Sequence, residues 1–319
     1  MDTLDKKEEK DEPKQEEKKE VKKKIGRPPL VKSNTAKFKK EIKNVIIEFF
    51  KVYSIFFFIS IIIKEMSFNL ESVGKQIAVI KNKENPKAKD RKVFLSSEDE
   101  AKNNYDRLKT KGNEYFQVVK DPDSERICLY IVGASGSGKS FWTTQFVKQF
   151  KTTNKNRKIY LISPITDDKN INSLKPTRLN PESDNFIEDP PEVEDFSNSI
   201  LICDDIEAYT SKHTVLRIMN LINSILTTGR HHNVSLLFLI HSPTQGNMTK
   251  LLLLESHGVV IFPQNMTGKG SKYLLDTYLG LDKDQIKKIK QMKSRAITIM
   301  KTYPMTLIAE NEIVNLKDF

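Results

Sequence analysis

The chain has 319 residues, enough for one large domain or two small ones, and 38% of them are hydrophobic, enough to bury a core. Its two cysteines, Cys128 and Cys203, lie inside apolar, strand-like runs, so neither a disulfide framework nor a zinc site is indicated, which fits a reducing compartment. A formal net charge of +11 favours a polyanionic partner, either a nucleic acid or an anionic membrane surface.

Residues 1–44 mix lysine and glutamate with almost no large apolar side chains. Such a composition cannot bury enough surface to offset the entropy of ordering, so we interpret this segment as a disordered charged tail. Within it, the sequence KKKIGRPP at 22–29 resembles an AT-hook, whose Gly-Arg-Pro core inserts its arginine into a narrow A·T minor groove. A charged linker and a basic nuclear-import segment are at least equally good interpretations.

An apolar stretch follows at 45–63, and its uninterrupted part begins at Val52. A bilayer-spanning helix needs ~20 apolar residues, and shorter runs of ~10 to 14 usually have another role. Three interpretations stay open: a marginal membrane anchor, a buried or partner-binding segment, and an extension before a natural start at Met66. Membrane contact is the less favoured of these. The predicted organisation is therefore a tail at 1–44, a hydrophobic segment at 45–65 and a folded domain at 66–319.

The region after Met66 predicts a small N-terminal subdomain packed on the main domain. Residues 76–80 and 93–95 have strand patterns. Ser97, which is followed by acidic residues, predicts the start of a helix that continues through Tyr105 and Leu108.

From residue 127 onward, apolar strand patterns alternate with helical ones. Strands are predicted at 127–132, 158–163, 199–203, 234–240 and 258–262, and helices at 139–150, 214–228 and 248–255. The Asp-, Asn- and Pro-rich stretch at 166–197 is expected to be an exposed insertion, with a short extended piece near Phe186. Helices at 271–279 and 284–292 and extended segments at 296–302 and 305–309 complete the chain. The pattern predicts an α/β fold with a mostly parallel sheet, helices on both faces and a C-terminal β-hairpin.

Between the first core strand and the first core helix lies GASGSGKS, which matches the phosphate-binding pattern G-x-x-x-x-G-K-[ST]. Its members are Gly133, Ala134, Ser135, Gly136, Ser137, Gly138, Lys139 and Ser140. Glycines let the backbone aim successive N–H groups at a polyphosphate, next to a helix N-terminus that stabilises negative charge. Lys139 is expected to reach the outer phosphates, and the Ser140 hydroxyl to hold Mg2+. A Gly/Ser linker that contains Lys-Ser by chance is the alternative, and both flanks argue against it.

The third core strand ends in two acids, Asp204 and Asp205. A carboxylate in this position can lie beside the phosphate loop and hold Mg2+ through water, and this is the role predicted for Asp204. Asp205 stands where the acid that orients the attacking water is expected. Because aspartate is one methylene shorter than the usual glutamate, Glu207 is a second candidate for that role. Acid pairs at strand ends also form turns and helix caps, but the phosphate loop favours the catalytic interpretation.

Arg230 and His241 flank the fourth core strand at its two ends. Open α/β sheets bind ligands at the carboxyl ends of their strands, so His241 is either a residue that senses the outer phosphate or a polar turn residue. Arg230, at the opposite end, cannot easily reach the nucleotide of its own chain. It is either an arginine finger that completes a neighbour's site in a ring or a surface arginine that closes a helix C-terminus.

These three elements, in this order, resemble the FtsK-HerA superfamily of ring-forming DNA-pumping ATPases. More narrowly, they resemble the poxvirus-type genome-packaging ATPases of large DNA viruses and of Maverick/Polinton-like elements. The resemblance rests on residues 133–140, 200–205 and 229–235, with 293–295 and 301–304 also similar, and it covers the chain from about Met66 to its C-terminus. The sequence departs from the superfamily at His241, where a glutamine is usual.

The resemblance implies a RecA-like (ASCE) P-loop NTPase fold and a homo-oligomeric ring that uses ATP and Mg2+ to pump double-stranded DNA into a capsid. It also implies capsid proteins as partners and an intracellular location, in a viral factory or the host cytoplasm or nucleus, or association with the virion. The Lys-rich segment at 283–290 would contact DNA phosphates or form a solvated face. A P-loop kinase of a small molecule or nucleotide, and a non-motor ATP-binding switch or scaffold, are the alternatives.

Overall fold

A computed structural model describes residues 45–46, 65–243, 245–265 and 268–319. The predicted tail with its AT-hook, and nearly all of the hydrophobic segment, lie outside the described residues. The chain divides into two units, Met1–Ile63 and Lys64–Phe319, and the second unit carries both sheets. In the part of the chain that the structure describes, no helix has the length and apolar character needed to cross a membrane.

The N-terminal strands form a small antiparallel sheet with the order β1-β3-β2-β5. The first five strands are β1 (Met66–Asn69), β2 (Lys75–Asn82), β3 (Arg91–Ser97), β4 (Arg107–Lys109) and β5 (Glu114–Val118). The strands predicted at 76–80 and 93–95 are confirmed as parts of β2 and β3. β4 leaves this sheet and pairs with the edge of the main one.

The helix predicted from Ser97 is wrong, because residues 98–100 form a turn and Leu108 lies in β4. Side chains hold this segment in a non-helical path. The Glu71 carboxylate accepts hydrogen bonds from the backbone N–H groups of Lys102 and Asn103 at 2.9 and 3.0 Å. Such local side-chain bonds to the backbone compete directly with a helical ladder.

The main sheet has ten strands in the order β4-β14-β13-β12-β11-β6-β10-β9-β7-β8. Its further strands are β6 (Cys128–Val132), β7 (Lys158–Ile162), β8 (Thr177–Arg178), β9 (Ser199–Asp204), β10 (Ser235–Ile240), β11 (Gly258–Ile261), β12 (Ile297–Met300), β13 (Thr306–Ala309) and β14 (Glu312–Asn315). The strands from β11 to β8 are all parallel, and the strands from β12 to β4 are antiparallel. The predicted core strands and the C-terminal hairpin of β12 and β13 are confirmed.

The parallel strands β6, β7, β9, β10 and β11 alternate with helices and lie in the spatial order β11-β6-β10-β9-β7. With these strands numbered one to five along the chain, the order is 5-1-4-3-2. The fourth strand therefore separates the strand that ends in the phosphate loop from the strand that ends in the two acids. This is the strand order of a RecA-like (ASCE) P-loop NTPase, and the predicted fold class is confirmed.

The helices are α1 (Lys139–Thr153), α2 (Lys169–Asn172), α3 (Asp184–Glu188), α4 (Lys212–Thr228), α5 (Asn247–Glu255), α6 (Lys269–Tyr273), which continues as a π-helical turn (Leu274–Tyr278), and α7 (Lys283–Gln291). Alternate strand residues point to opposite faces of the sheet. On one face, Tyr130 of β6 packs in a core with α4 and α7. On the other face, Ile131 packs with α1 and the N-terminal sheet.

The insertion at 166–197 is more structured than predicted. Phe186, expected in a short extended piece, lies instead in α3, where the Ser183 hydroxyl caps the helix by accepting from the Phe186 N–H at 3.4 Å. Phe186, Val193 and Phe196 are buried in the core. The two cysteines are free and buried, as expected, and burial raises the pKa of Cys128 to about 11.

Candidate functional site

The phosphate loop joins β6 to α1 at the carboxyl end of the parallel strands. Gly136 and Gly138 have φ angles of 73° and 103°, a region that L-residues with side chains rarely adopt. At Gly133, an added Cβ would lie 2.6 Å from the Ser137 hydroxyl and 2.8 Å from Phe262, so only glycine fits there. The loop therefore holds its backbone tightly against the N-terminus of α1, where free N–H groups bind anions.

Lys139 lies at the centre of the site and is buried. Its Nζ donates to the Gly133 carbonyl at 2.9 Å and lies 3.2 Å from His241 Nδ1. Burial lowers the pKa of Lys139, and the carboxylates of Asp205, Asp204 and Glu207 oppose this change. The structure thus brings the lysine of the loop into contact with the residue that follows β10 and close to the acids that follow β9.

The two predicted acids have different surroundings. Asp204 is buried at the end of β9, and its Oδ2 accepts a long hydrogen bond of 3.5 Å from Ser163 Oγ. Asp205 follows with a φ of 50°, a strained backbone conformation for a residue with a side chain. Its Oδ1 lies 2.8 Å from His241 Nε2. His241 therefore bridges Lys139 and Asp205 with its two ring nitrogens.

Glu207, the second candidate for orienting water, lies in the same cluster. Its Oε1 accepts a hydrogen bond from the backbone N–H of His241 at 2.9 Å. Three possible metal-ligand atoms lie within 4.8 Å of one another, one each from Asp205, Glu207 and His241. His241 thus contacts both acids and the lysine of the phosphate loop.

The carboxylate oxygens at the site fit a hydrated Mg2+ ion. Asp205 Oδ1 and Glu207 Oε2 are buried without a hydrogen-bond partner in the part of the chain that the structure describes. The contact of Asp205 Oδ1 with His241 is close but is not aligned as a hydrogen bond. Mg2+ prefers oxygen ligands and keeps several waters, and such waters would satisfy these oxygens. Ser140, half-buried at the start of α1, and Asp204 remain the residues expected to hold the ion.

Burial, and then the neighbouring Asp205, raise the pKa of Asp204 to about 7. Between pH of about 4 and 7, the native carboxyl therefore keeps a proton that the unfolded chain has lost. The protonated carboxyl therefore raises the free energy of unfolding at low pH relative to high pH, and this stabilisation is lost as the pH rises through 7. We expect Asp204→Asn to be more stable than the wild type at pH 8 by roughly 2–4 kcal/mol, with little difference near pH 4.

Urea unfolding at both pH values, without nucleotide or Mg2+, measures this difference. Asp106→Asn, at an exposed aspartate in the N-terminal region, is the control and should show no such pH-dependent gain. Equal stability of wild type and Asp204→Asn at pH 8 would contradict the conclusion that burial and Asp205 destabilise the Asp204 carboxylate.

Arg230 lies at the other end of β10, as predicted, away from the phosphate loop of its own chain. It is exposed, and its guanidinium lies 3.2 Å from Glu125 Oε1. The alternative role, closing the C-terminus of α4, belongs to another residue. Arg126, which is buried, donates to the carbonyls of Ile225 and Leu226, the second at 2.7 Å. The sequence signal for Arg126 is an arginine directly before a core strand.

A second feature missed from the sequence is a cavity of about 830 Å3 beside the phosphate loop. Gly136, Ser137 and Gly138 form one wall, and the segment from Lys290 to Arg295 forms the other. The Arg295 guanidinium lies 5.4 Å from the centre of the exposed Phe141 ring. The likeness of residues 293–295 to the packaging ATPases was the available signal, but it assigned them no role.

The strand order, the glycine-restricted loop and the acids at the end of the third core strand define a RecA-like P-loop NTPase fold. No family model matches the sequence. Over 188 residues, the chain is 32% identical to "Uncharacterized protein V3" of Sputnik virophage, and the match covers 58% of this chain and 76% of V3. The chain therefore belongs to the same family as V3.

Among solved structures, the chain is similar to the genome packaging NTPase B204 of Sulfolobus turreted icosahedral virus 2, with 15% identity and a TM-score of 0.41 over 59% of this chain and 96% of that one. It is also similar to the pCW3 conjugation coupling protein TcpA, with 10% identity and a TM-score of 0.40 over 72% and 76% of the two chains. A third is the cytoplasmic domain of the Thermomonospora curvata Type VII secretion ATPase EccC, with 12% identity and a TM-score of 0.42 over 65% and 28%.

Proposed function

We propose that the protein hydrolyses ATP to translocate double-stranded DNA, as a motor of the FtsK-HerA type that packages a viral genome into a capsid. The observation that carries the proposal is the contact chain from Lys139 through His241 to Asp205, with distances of 3.2 and 2.8 Å. These residues come from three separate parts of the sequence. Their convergence at the phosphate loop supports hydrolysis of a phosphoanhydride, because it puts a cation for the phosphates close to an acid that can orient water.

In this proposal, residues 133–140 bind the triphosphate through backbone N–H groups, and Lys139 turns from the Gly133 carbonyl to the outer phosphates. Ser140 and Asp204 would hold Mg2+, which would supply positive charge against the phosphate oxygens. Asp205 orients the attacking water, with Glu207 as the alternative. His241 fixes the Asp205 carboxylate and releases Lys139 when the phosphates arrive.

The site of one chain lacks an arginine finger from its own β10, because Arg230 lies at the amino end of that strand. In a homo-oligomeric ring, Arg230 of one copy would reach the phosphate loop of the next copy and stabilise charge in the transition state. Among the described residues, the exposed guanidinium has one ion-pair partner, the exposed Glu125 carboxylate. This supports the role, because only a weak surface ion pair has to be broken to release the arginine.

The DNA part of the proposal rests on charge and on family. The net charge of +11 favours a polyanion. Helix α7 buries Ile286 and Ile289 and exposes its lysines, so its polar face can contact phosphates. Membership in a family with a virophage protein supports a viral genome as the cargo and an intracellular or virion-associated location.

The test is DNA-stimulated ATP hydrolysis by the full chain. We expect duplex DNA to raise the rate of phosphate release at least about tenfold, with stimulation that weakens steeply as salt increases, because phosphate contacts release counterions. Single-stranded DNA of the same length is the comparison, and a Lys139→Ala preparation measures contaminating activity. Hydrolysis that duplex DNA does not accelerate would leave an ATP-binding switch as the better function. Transfer of phosphate to a small-molecule acceptor would instead indicate a kinase.

A further inference from the structure

The insertion between β8 and β9 carries a concentration of negative charge on a chain that is positive overall. Its carboxylates are exposed, and no lysine or arginine occurs between residues 179 and 198. We call this set the acidic face: Glu182, Asp184, Glu188, Asp189, Glu192, Glu194 and Asp195. Among the described residues, the acidic face forms one ion-pair contact, between Glu194 and His232 at 3.2 Å. Its charge is therefore largely uncompensated within the chain.

The acidic face borders a groove of about 550 Å3 with a partly apolar lining that includes Phe186, Pro190 and Pro191. The groove lies close to the proposed arginine finger. Glu194 contacts His232, two residues after Arg230, and the Asn198 N–H donates to the His232 carbonyl at 2.8 Å. Glu194 of the acidic face therefore contacts the turn that carries Arg230, and the Arg230 guanidinium faces Glu125 next to that turn.

The phosphate loop has a surface of opposite charge beside it. Lys290, Lys293 and Arg295, which we call the basic face, are exposed and line the cavity of about 830 Å3 next to Gly138. Arg295 Cδ lies only 3.6 Å from the position that a Cβ on Gly138 would occupy. In the described part of the chain, no side chain of the basic face pairs with a carboxylate.

We propose that the acidic face of one copy docks on the basic face of a second copy, and that this contact carries Arg230 to the second copy's phosphate loop. This contact rests on the proposed function, because that function requires Arg230 of one copy to reach the phosphate loop of another. Arg230 lies in the turn that the acidic face contacts, and the phosphate loop lies beside the basic face. Docking the acidic face on the basic face would therefore bring Arg230 towards the phosphate loop of the second copy. Opposite charges favour this head-to-tail contact, whereas two acidic faces repel. A head-to-tail contact between different surfaces closes into a ring when the rotation permits.

Charge reversal tests the proposal. Glu188→Lys/Glu192→Lys and Lys290→Glu/Lys293→Glu are each expected to weaken self-association of the full chain at least tenfold, measured by sedimentation velocity without nucleotide. A sixfold variant that adds Asp189→Lys and Glu194→Lys to these four substitutions leaves three acids and four lysines on the acidic face, and two acids and one arginine on the basic face. The two signs are then exchanged, so its association should recover to within about threefold of the wild type. Lys283→Glu/Lys287→Glu is the matched control. It makes the same change in charge on α7, outside the lining of the cavity, and should leave association unchanged.

Three results would overturn the proposal: a wild-type chain that stays monomeric at all concentrations, association that survives reversal of either face, or failure of the sixfold variant to recover. A loss of duplex DNA binding with intact association would identify the basic face as a DNA surface instead. Because association is measured without nucleotide, intact assembly together with absent hydrolysis would count against the proposed function and not against this contact.

Discussion

Arg230→Ala is expected to lower the rate of ATP hydrolysis about 10³-fold or more while ATP binding and the fold are retained. The side chain is exposed, and its ion pair with Glu125 is of a kind that contributes about 0–1 kcal/mol to stability. Arg126 closes the C-terminus of α4, so the helix does not depend on Arg230. Phosphate release, nucleotide affinity and thermal unfolding separate these effects.

A mixing experiment shows whether Arg230 acts on another copy. When Arg230→Ala is assembled with Lys139→Ala, some sites combine an intact loop from one copy with an intact arginine from its neighbour. Hydrolysis by the mixture should therefore exceed that of either variant alone by at least tenfold. Arg91→Ala, which removes another exposed arginine paired with a carboxylate, Glu114, is the control and should be neutral. A mixture no more active than its components would count against a finger acting between copies.

Lys139→Ala is expected to lower hydrolysis at least about 100-fold, since it removes the buried positive charge that the proposed function assigns to the outer phosphates. It should also weaken ATP binding, because the Asp204 and Asp205 carboxylates then face the phosphates without a compensating cation. Equilibrium binding of a fluorescent ATP analogue and phosphate release measure the two effects.

Lys120 provides the matched control for this variant. It is also a buried lysine, its Nζ donates to the Asp121 carbonyl at 2.8 Å, and burial lowers its pKa as it does for Lys139. Lys120→Ala should cost stability without changing ATP affinity. If Lys139→Ala hydrolysed ATP within tenfold of the wild-type rate, the loop would not be the catalytic phosphate site.

The amino-acid sequence alone determined the elements whose residues are close together along the chain. The phosphate loop was predictable because its glycines, lysine and serine are consecutive, and because an apolar strand and a helix flank it directly. The continuous apolar runs of β6, β9 and β10 predicted buried parallel strands for the same reason. The end of β9 likewise located Asp204 and Asp205, since a change from apolar to acidic residues marks the end of a buried strand.

Tertiary structure alone decided the contacts between residues that are distant in sequence. The approach of His241 to Lys139 spans 102 positions and depends on β10 pairing beside β6. The closure of α4 by Arg126 spans 100 positions, and the pairing of Glu194 with His232 joins an insertion to a turn. The helix wrongly predicted from Ser97 is a case in which the carboxylate of Glu71 outweighed a local start signal. Spacing along the chain reports local conformation, whereas these contacts depend on which strands and helices pack together.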